Sequence, residues 1–594
     1  MRSVCLFRRK KIGPAMSVMV LVLVGFLSII QAVLAQERAA GASPVAPDKA
    51  RQRQQLTEQL KVTMEQVKKI QQALKDLDGG SAAEPEPASL AAAAEKEDAA
   101  VLAPVEVLGT KIERNPAGRA IGKVEREDIE NSRAFSLKEL VEAAPGLTAR
   151  QGNGPRDVNV SIRGSGAKQN FGVRNIKTYE DWFPTTQSDG LARTDVNDPH
   201  AYEGVDIIRG PSSSLYDKEA MGGVINFRTR RGRDIQGFEV GNDAGSRGYH
   251  NHWLHVGDQL KSFEYSLFGS YIRGDGFIDH SQFNTATQNL LVTFTPDAKR
   301  SFTFKFLNND LDTRVPSRLT LAEVRANPKD AGNTSVTGVG TVTAERAAQA
   351  RRDRRTIVGG RYEHQLDANT GLRVLGAYDV KDINQTFGTI GDTSNPNFHT
   401  YADITREDTV GGLNAKHYAG FFFNYMEQEA STYRNLADGF GTRGAINANT
   451  RGLHRNIGGR LREEIQFDPK WSGIAGIGAE SSAVSAEVQS RTAAEAFSRV
   501  NANRNFFNVA PELAVLYKHS PDLSTHGRVA TGYGIPSIGN LTTTSAGLPG
   551  NNLDLKPQRN VGFELGVDGR PVKVLALSLA GYYEFWFNEF ISQS

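Results

Sequence analysis

Residues 202–231, which read YEGVDIIRGPSSSLYDKEAMGGVINFRTRR, decide the fold of this chain of 594 residues. The apolar residues before Gly210-Pro211 predict a strand that ends at this pair. The serines at 212–214 predict the start of a short helix, which we expect to end at Gly222-Gly223. The glycines allow a tight return into a second strand, predicted from the apolar residues at 224–227. The stretch is therefore expected to form one compact unit of strand, helix and strand.

Three shorter patterns precede this unit in the chain. Ser136–Glu139 reads SLKE, a capping box that predicts the start of a helix, and Pro145-Gly146 closes that helix. Residues 158–164 (VNVSIRG) alternate between apolar and polar side chains, and residues 175–181 read NIKTYED. Each of these two segments predicts a strand.

In this order the four segments resemble the plug domain of TonB-dependent outer-membrane receptors. The signatures of that family run close to SLxELLxxxPGL, to xxxIRG, to a strand that ends in Asp-Gly, and to ERVEVLRGPSSLLYGxxAxGGVINxxTK. Four elements in the right order are far more specific than any one of them. The resemblance implies an α+β plug domain over residues 111–232, inside a transmembrane β-barrel built from residues 233–594. Receptors of this family close a barrel of about 22 strands.

Two positions depart from the pattern of this family. Asp217 stands where a glycine usually follows Leu-Tyr, and we expect a modest change because aspartate tolerates a left-handed backbone. Trp182 stands where the family generally has glycine, and a bulky aromatic residue does not adopt a glycine conformation cheaply. We therefore expect a different turn at Trp182; recruitment of its side chain to a ligand is the alternative.

The rest of the chain has the period of two that is typical of barrel strands. Phe302, Phe304 and Phe306, for example, alternate with polar residues. A soluble β-sandwich with one wet face is the alternative. The aromatic residues at strand ends and long polar stretches, such as residues 316–355, favour a membrane barrel.

This region is short for the family. With strands of about 10 residues, residues 233–594 suffice for roughly 16 strands. The chain also ends at Ser594 without the terminal aromatic residue that such barrels generally use for insertion. We therefore expect an incomplete barrel in a C-terminally truncated product. Its open edge would be costly in lipid, because unpaired backbone groups have no partner there.

The N-terminus predicts export. Five basic residues precede an apolar run at 18–27, and small residues before Gln36 offer a cleavage site. Residues 1–35 are thus interpreted as a signal peptide, with an uncleaved anchor as the alternative. Its removal would take away Cys5, the only cysteine, and with it any disulfide or thiolate metal site. A net charge of only +3 argues against a nucleic-acid partner.

Residues 36–103 form a region of their own. Apolar residues between Leu56 and Leu77, at alternating spacings of three and four, predict one helix within residues 36–80. This helix is either a short periplasmic coiled coil or a lone amphipathic helix on the receptor. Residues 81–103 are rich in alanine, proline and acidic residues, which is typical of a flexible linker.

Residues 104–110, which read PVEVLGT, resemble a TonB box, the short segment ahead of the plug. An extended segment on a flexible tether can pair with the edge of a partner's sheet and transmit a pull. The resemblance implies that TonB and its inner-membrane motor complex act on this segment. The residues predicted to contact TonB are Pro104, Val105, Glu106, Val107 and Leu108.

The resemblance also implies what the protein does. It implies a transporter in the outer membrane of a Gram-negative bacterium, surrounded by lipid, with its N-terminal extension in the periplasm. The expected ligand is a small metal chelate, by default a ferric siderophore; no resident cofactor or metal is expected. Heme, cobalamin, another metal chelate, an oligosaccharide and a truncated receptor without function are the alternatives, and a passive porin is the weaker one. Catalytic motifs such as GxSxG and HExxH are missing, so we do not expect an enzyme.

On the pattern of this family, the plug apices that face outward fall at residues 150–156 and 182–193. Arginines at these apices would suit an anionic chelate, and aromatic and amide side chains would add stacking and hydrogen bonds. The ligand-binding residues predicted in this way are Arg150, Gln151, Arg156, Trp182, Phe183, Gln187 and Arg193.

Overall fold

The computed structural model describes residues 104–132, 135–142, 144–169, 172–436, 438–491, 495–544, 548–572 and 574–590. The predicted signal peptide, N-terminal helix and linker all lie before residue 104, outside the described residues. They therefore stay predictions.

The first part of the described chain forms a small α+β unit, the plug. Its elements are α1 Leu108–Arg114, β1 Ile121–Glu125, α2 Arg126–Asn131, α3 Leu137–Glu142, β2 Leu147–Gln151, β3 Val158–Ile162, β4 Ile176–Glu180, β5 Phe183–Pro184, a 3-10 turn Pro199–Ala201, β6 Tyr202–Arg209, α4 Ser213–Tyr216, β7 Gly223–Thr229 and α5 Gly232–Ile235. The central sheet has the strand order β1-β6-β7-β4-β5, in which only β4 and β7 run parallel. β2 and β3 form a separate hairpin.

The segment quoted first forms β6, α4 and β7, so both predicted strands are confirmed. The two strands pair as antiparallel neighbours, with Ile207 opposite Ile225. The helix between them is shorter than expected. It ends at Tyr216 rather than at Gly222-Gly223, because the backbone of Asp217 turns to a φ of +62°.

The predicted capping box opens α3. The backbone N–H and the hydroxyl of Ser136 both donate to Glu139 Oε2, at 2.9 and 2.8 Å. Leu137, Leu140 and Val141 are buried in the plug core together with the apolar side chains of β6. Each side chain of this kind contributes about 1.5–3 kcal/mol when it is fully buried. The plug is thus a folded unit with a core of its own.

The rest of the described chain forms one antiparallel sheet of fifteen strands, the wall. Its strands are β8 Gly237–Ala244, β9 His250–Leu260, β10 Phe263–Gly274, β11 Phe283–Asp297, β12 Arg300–Arg314, β15 Ala350–Gln365, β16 Thr370–Thr386, β17 Thr389–Val410, β18 Leu413–Leu436, β19 Gly439–Gln466, β20 Trp471–Arg491, β21 Phe497–Ser520, β22 Leu523–Gly534, β23 Gln558–Val572 and β24 Leu575–Phe587. Between β12 and β15, outside the wall, lie the helix α6 Leu321–Ala326 and a hairpin of β13 Asn333–Val336 and β14 Gly340–Thr343. The helix α7 Ile538–Thr542 lies between β22 and β23. Each wall strand pairs with the wall strands that come before and after it in the chain, so that β12 pairs with β15.

Along most wall strands, alternate residues face the plug and the outside. Along β12, Phe302 and Phe304 face outward with 45% and 43% of their surface exposed, whereas Thr303 and Lys305 are buried on the inner face. The predicted alternation is therefore confirmed. An apolar outer band around a polar inner face is the arrangement of membrane barrels.

The wall has two unlike ends. At the turn end, strands are joined by very short turns such as residues 261–262, 298–299 and 411–412. At the loop end, the connections include the long stretches 275–282 and 315–349. Membrane barrels of bacteria show the same asymmetry, with short turns on the periplasmic side and long loops outside.

In the described part of the chain, β8 and β24 are the two edges of the wall and do not pair with each other. The sheet has fifteen strands, where the length of the chain predicted roughly 16. None of the helices within the described ranges is long and apolar enough to cross a membrane.

A positive charge at Phe304 is expected to destabilise the wall. Phe304 lies in the middle of the outward apolar band of β12, so Phe304→Lys should cost about 2–4 kcal/mol in lipid. Asn308→Lys is the matched control, at an outward polar position of the same strand. This control should lower the free energy of unfolding by about 1 kcal/mol, because it removes the hydrogen bond that Thr356 donates to Asn308. Urea unfolding in lipid vesicles measures both, and equal losses would contradict the outward assignment of Phe304.

Candidate functional site

Arg119 connects the plug to the wall through a buried ion pair. Its guanidinium binds the carboxylate of Glu512 on β21, and neither side chain is exposed. Two wall arginines share this carboxylate: Arg528 at 2.9 Å and Arg462 at 3.4 Å. Burial and the repulsion of Arg528 lower the pKa of Arg119 to about 10, although Glu512 opposes the change. One carboxylate thus serves three cations, and only one of them belongs to the plug.

Glu113, near the end of α1, is held by three strands of the wall. Its carboxylate lies 2.5 Å from Arg373 of β16 and 3.4 Å from Arg460 of β19. The hydroxyl of Tyr418 on β18 donates to it at 3.3 Å. Both arginines also pair with Asp403 of β17. The first helix of the plug is therefore tied through Glu113 to β16, β18 and β19, and Asp403 joins β17 to the same cluster.

A third ionic contact lies at the end of β4. Lys305 of β12 is 2.7 Å from both Glu180 and Asp181, and Asn289 donates to Glu180 at 2.6 Å. Burial alone would raise the pKa of Asp181. The charge of Lys305 and hydrogen bonds from Lys305 and Thr229 outweigh burial and hold this pKa below its ordinary value.

These ionic contacts fix the position of the plug without a large net gain in stability. Moving a charge out of water costs several kcal/mol, and its attraction to a partner repays roughly that amount. Removal of one partner is costly, because the other charge is left buried and alone. The ion pairs at the boundary thus determine how the plug is oriented against the wall, but they add little to the net free energy of unfolding.

The TonB-box-like segment rests against the turn end of the wall. Val107 is buried over Gly371 at the start of β16, where a side chain at position 371 would collide with it. Residues 104–107 have no regular structure, whereas Leu108 to Thr110 belong to α1. The second half of the segment is therefore helical rather than extended. Local hydrogen bonds of α1 explain the difference, since Lys111 N–H donates to Val107 O.

A cavity of about 640 Å³ opens at the loop end, between the plug and the wall connections. We call it the outer cavity. The plug lines it with Phe135 and residues 151–155. The wall lines it with residues 245–247, 249, 274, 276–278, 281, 283 and 315–318. Its volume lies within the range of about 300–1,000 Å³ that is usual for sites of small ligands.

The structure places the predicted ligand residues in different surroundings. Gln151 lines the outer cavity. The exposed Arg150 donates to the backbone oxygen of Gln169 at 3.1 Å. Arg156 is buried and donates to the backbone oxygen of Asn197 at 2.8 Å. Of these three side chains, only Gln151 faces the cavity.

Arg193 and Gln187 are also engaged by the protein. The guanidinium of Arg193 lies 3.2 Å from Asp195 and 3.5 Å from Asp157. The side-chain amide of Gln187 donates to the backbone oxygen of Asn395 on β17 at 3.2 Å. Neither side chain lines the outer cavity.

Trp182 and Phe183 lie between the plug and the wall rather than at an outward apex. Both are buried, and the indole of Trp182 stacks on Tyr216 with 6.2 Å between ring centroids. Phe183 fills the space beside Gly359 and packs with Leu375. Large apolar rings are removed from water in this position, which places them away from any ligand in the outer cavity.

Several residues at these sites were not predicted from the sequence. Glu512 gives a signal in retrospect, because its charge lies between Ala510 and Ala514, which share the buried inner face of β21. The cavity residues Arg247, Tyr249, Phe277 and Arg318 give none, since they lie in irregular connections without a period.

Two family models match this chain. The one described as "TonB-dependent Receptor Plug Domain" matches residues 114–224, and the one described as "TonB dependent receptor-like, beta-barrel" matches residues 286–593. The second match alone covers more than half of the chain. The chain belongs to the TonB-dependent receptor family.

Solved structures of similar fold include three iron receptors. The ferric citrate transporter FecA is 17% identical, with a TM-score of 0.62 over 77% of this chain and 68% of that chain. The ferric yersiniabactin uptake receptor FyuA from Yersinia pestis is 14% identical, with a TM-score of 0.62 over 79% and 72%. The ferric-catecholate import receptor Fiu from E. coli K12 is 15% identical, with a TM-score of 0.63 over 81% and 76%. At these identities the likeness is one of fold.

A relative by sequence is the "Iron-regulated outer membrane virulence protein" of Vibrio cholerae serotype O1. It is 32% identical over 122 residues, which are 20% of this chain and 18% of that protein. The chain therefore spans about a fifth of the length of this relative. The similar proteins named here are described as receptors and transporters, or as an outer-membrane protein.

Trp182 of this TonB-dependent receptor has a left-handed backbone, with a φ of +66°. This aromatic residue thus adopts a conformation that favours glycine, and a turn different from that of the family stays a prediction. A left-handed backbone costs a residue with a side chain about 1–2 kcal/mol. Stacking on Tyr216 and a hydrogen bond from Trp182 N–H to Asn226, at 3.0 Å, offset that strain.

Asp217 is a larger departure than expected. Its φ of +62° and ψ of −160° lie in a region that glycine alone adopts readily. The carboxylate binds Lys177 at 2.6 Å within the plug and accepts a hydrogen bond from Tyr401 of β17 at 2.9 Å. This receptor thus carries an extra polar link between plug and wall at a strained position.

Glu113→Gln is expected to lower the free energy of unfolding by about 3–5 kcal/mol, because Arg373 and Arg460 lose a shared buried partner. The matched control is Glu407→Gln, which affects the exposed ion pair of Glu407 with Lys416 and should cost about 1 kcal/mol or less. Urea unfolding of both variants in lipid vesicles checks the difference. A loss at Glu113 no greater than that at Glu407 would show that the cluster does not hold the plug.

His200 links the plug to β8 in a way that depends on pH. Its Nδ1 lies 3.0 Å from Asp198, and its Nε2 lies 2.9 Å from Asp243. Burial alone would lower the pKa of His200, but its hydrogen bonds to these two carboxylates raise it to about 9.

The charge of His200 should therefore stabilise the receptor at low pH. This contribution is complete below the unfolded pKa of about 6.5 and disappears as the pH rises through about 9. We expect the free energy of unfolding of the wild type to fall more steeply between about pH 7 and pH 10 than that of His200→Gln, which carries no titrating charge. Urea unfolding at each pH measures the two slopes. Parallel slopes would contradict the ionic role of His200.

Proposed function

We propose that this receptor binds an iron chelate, with a ferric siderophore as the default ligand, and imports it across the outer membrane of a Gram-negative bacterium. TonB and its inner-membrane motor complex would supply the energy. The single observation that carries the proposal is the polar boundary: a folded plug sits inside the wall and is held by buried ion pairs. Such a plug blocks passive flow, and a pull on its N-terminal end would have to break these ion pairs before a passage opens.

The docking of α1 supports a pull that starts at the turn end. Gly109 N–H donates to Thr405 at 3.2 Å, and the hydroxyl of Thr110 donates to Glu363 at 2.6 Å. A TonB box that adds to a partner's sheet as a strand must first leave such contacts. Glu113 follows directly in the chain, so a pull on residues 104–107 reaches that ionic cluster next.

The assignment of iron chelates as ligands rests on the similar proteins. FecA, FyuA and Fiu are each described with a ferric ligand, and the Vibrio cholerae protein is described as iron-regulated. Heme, cobalamin, another metal chelate or an oligosaccharide are the alternative ligands. A passive porin is the weaker alternative, because a porin needs no plug domain on the inner face of its wall.

Proline in the TonB-box-like segment is expected to abolish uptake of iron chelates. The double change Val105→Pro and Val107→Pro removes two backbone N–H donors that strand addition requires. Uptake is measured in cells grown under iron limitation. The double change Val105→Thr and Val107→Thr keeps these donors and the branched shape, so it is the matched control. We expect radioactive iron to accumulate with the threonine variant and to stay near background with the proline variant.

Binding to whole cells separates the two steps. The proline variant should still bind the chelate at the cell surface, because the outer cavity lies at the other end of the molecule. Normal uptake by the proline variant would refute energy transfer through residues 104–108.

A further inference from the structure

The outer cavity carries two guanidinium groups that are free to bind an anion. Arg247, in the connection between β8 and β9, lies over the ring of Phe277 at 4.6 Å. Arg318, in the connection after β12, lines the same cavity. Both side chains are exposed, and neither has a carboxylate within ion-pair distance among the residues that the structure describes. Both charges of the cavity lining are therefore positive.

The plug arginines predicted to bind the ligand do not line this cavity. Arg193 is shared between Asp157 and Asp195, and Arg156 donates to backbone oxygens. Both guanidinium groups thus bind groups of the protein itself. The anion-binding role that the sequence assigned to plug arginines thus passes to the two loop arginines.

The cavity also presents flat aromatic surface. The half-buried rings of Phe135 and Tyr249 lie 5.3 Å apart between centroids, and the buried ring of Phe283 lies 6.1 Å from Phe135. Phe277 is half exposed beneath Arg247. Ring faces favour other rings and the faces of planar cations. A ligand that matches both features carries negative charge on or beside aromatic rings.

We propose, on the basis of the proposed function, that the outer cavity binds a ferric chelate whose iron ligands are phenolate or catecholate oxygens. These ligands give the chelate a net negative charge and expose aromatic rings at its surface. Arg247 and Arg318 donate charge-assisted hydrogen bonds to the oxygens, and the rings of the cavity pack against the rings of the chelate. Carboxylate chelates offer charge without rings, and hydroxamate chelates offer neither.

Equilibrium binding to the purified full-length chain in detergent tests this specificity. The probes are the ferric complexes of catechol, citrate and acetohydroxamate, each made with radioactive iron. We expect the catechol complex to bind more tightly than the other two by about tenfold or more. Arg247→Gln and Arg318→Gln should each weaken its binding by about tenfold. Phe277→Leu should weaken it by roughly fivefold.

Arg346→Gln is the matched control. Arg346 is also an exposed arginine of a wall connection that lies over a ring, Phe440 at 5.8 Å, but it does not line the outer cavity. This variant should bind the catechol complex as the wild type does. An equal loss in Arg346→Gln would overturn the proposal, because it would reduce the effect to general surface charge.

The outcomes separate this inference from the proposed function. Tight binding of ferric citrate or of the hydroxamate complex, without binding of the catechol complex, overturns the phenolate specificity and leaves iron-chelate import standing. Failure of all three complexes to bind overturns the inference, and the uptake assay with the variants of Val105 and Val107 then decides the proposed function on its own.

Discussion

Carboxylate and guanidinium groups buried between plug and wall determine how the two parts of this receptor fit together. Glu113, Arg119 and Glu180 of the plug each meet an opposite charge on an inward position of the wall. A strand with a period of two offers such positions on one face while the other face stays apolar for lipid. The polar inner face would be costly without the plug, because its charges would lose their partners. Plug and wall therefore depend on each other for the pairing of these charges.

Local sequence patterns predicted most of the elements. They failed where contacts between residues far apart in the sequence determine the backbone conformation. The strands of residues 202–231 follow from their own apolar residues, and α3 follows from its capping box. The end of α4 does not, because the unusual backbone of Asp217 is accompanied by contacts with Lys177 and Tyr401, which lie 40 and 184 positions away. The backbone of Trp182 was not predictable from local sequence either, because stacking on Tyr216 offsets its strain.

The candidate sites were predictable in kind rather than in detail. Sequence showed arginines near the plug apices, but it could not show that Arg156 and Arg193 bind groups of the protein itself. Loop arginines such as Arg247 have no period and no motif, so only the fold reveals that they share a cavity with the plug. The site at the turn end was easier to predict from the sequence, because the TonB-box-like segment is contiguous in the chain. Its docking on the wall, through Thr110 and Glu363, still required the structure.

The central claim is that the plug can leave its place while the wall stays folded. Single-molecule pulling on the segment at residue 104, with the full chain in a lipid bilayer, tests it most directly. We predict that α1 yields first and that the plug then unravels within a total extension of about 40 nm, the length of its stretched chain. The wall strands should stay in place at the same force. Extraction of wall strands before or together with the plug would contradict this account.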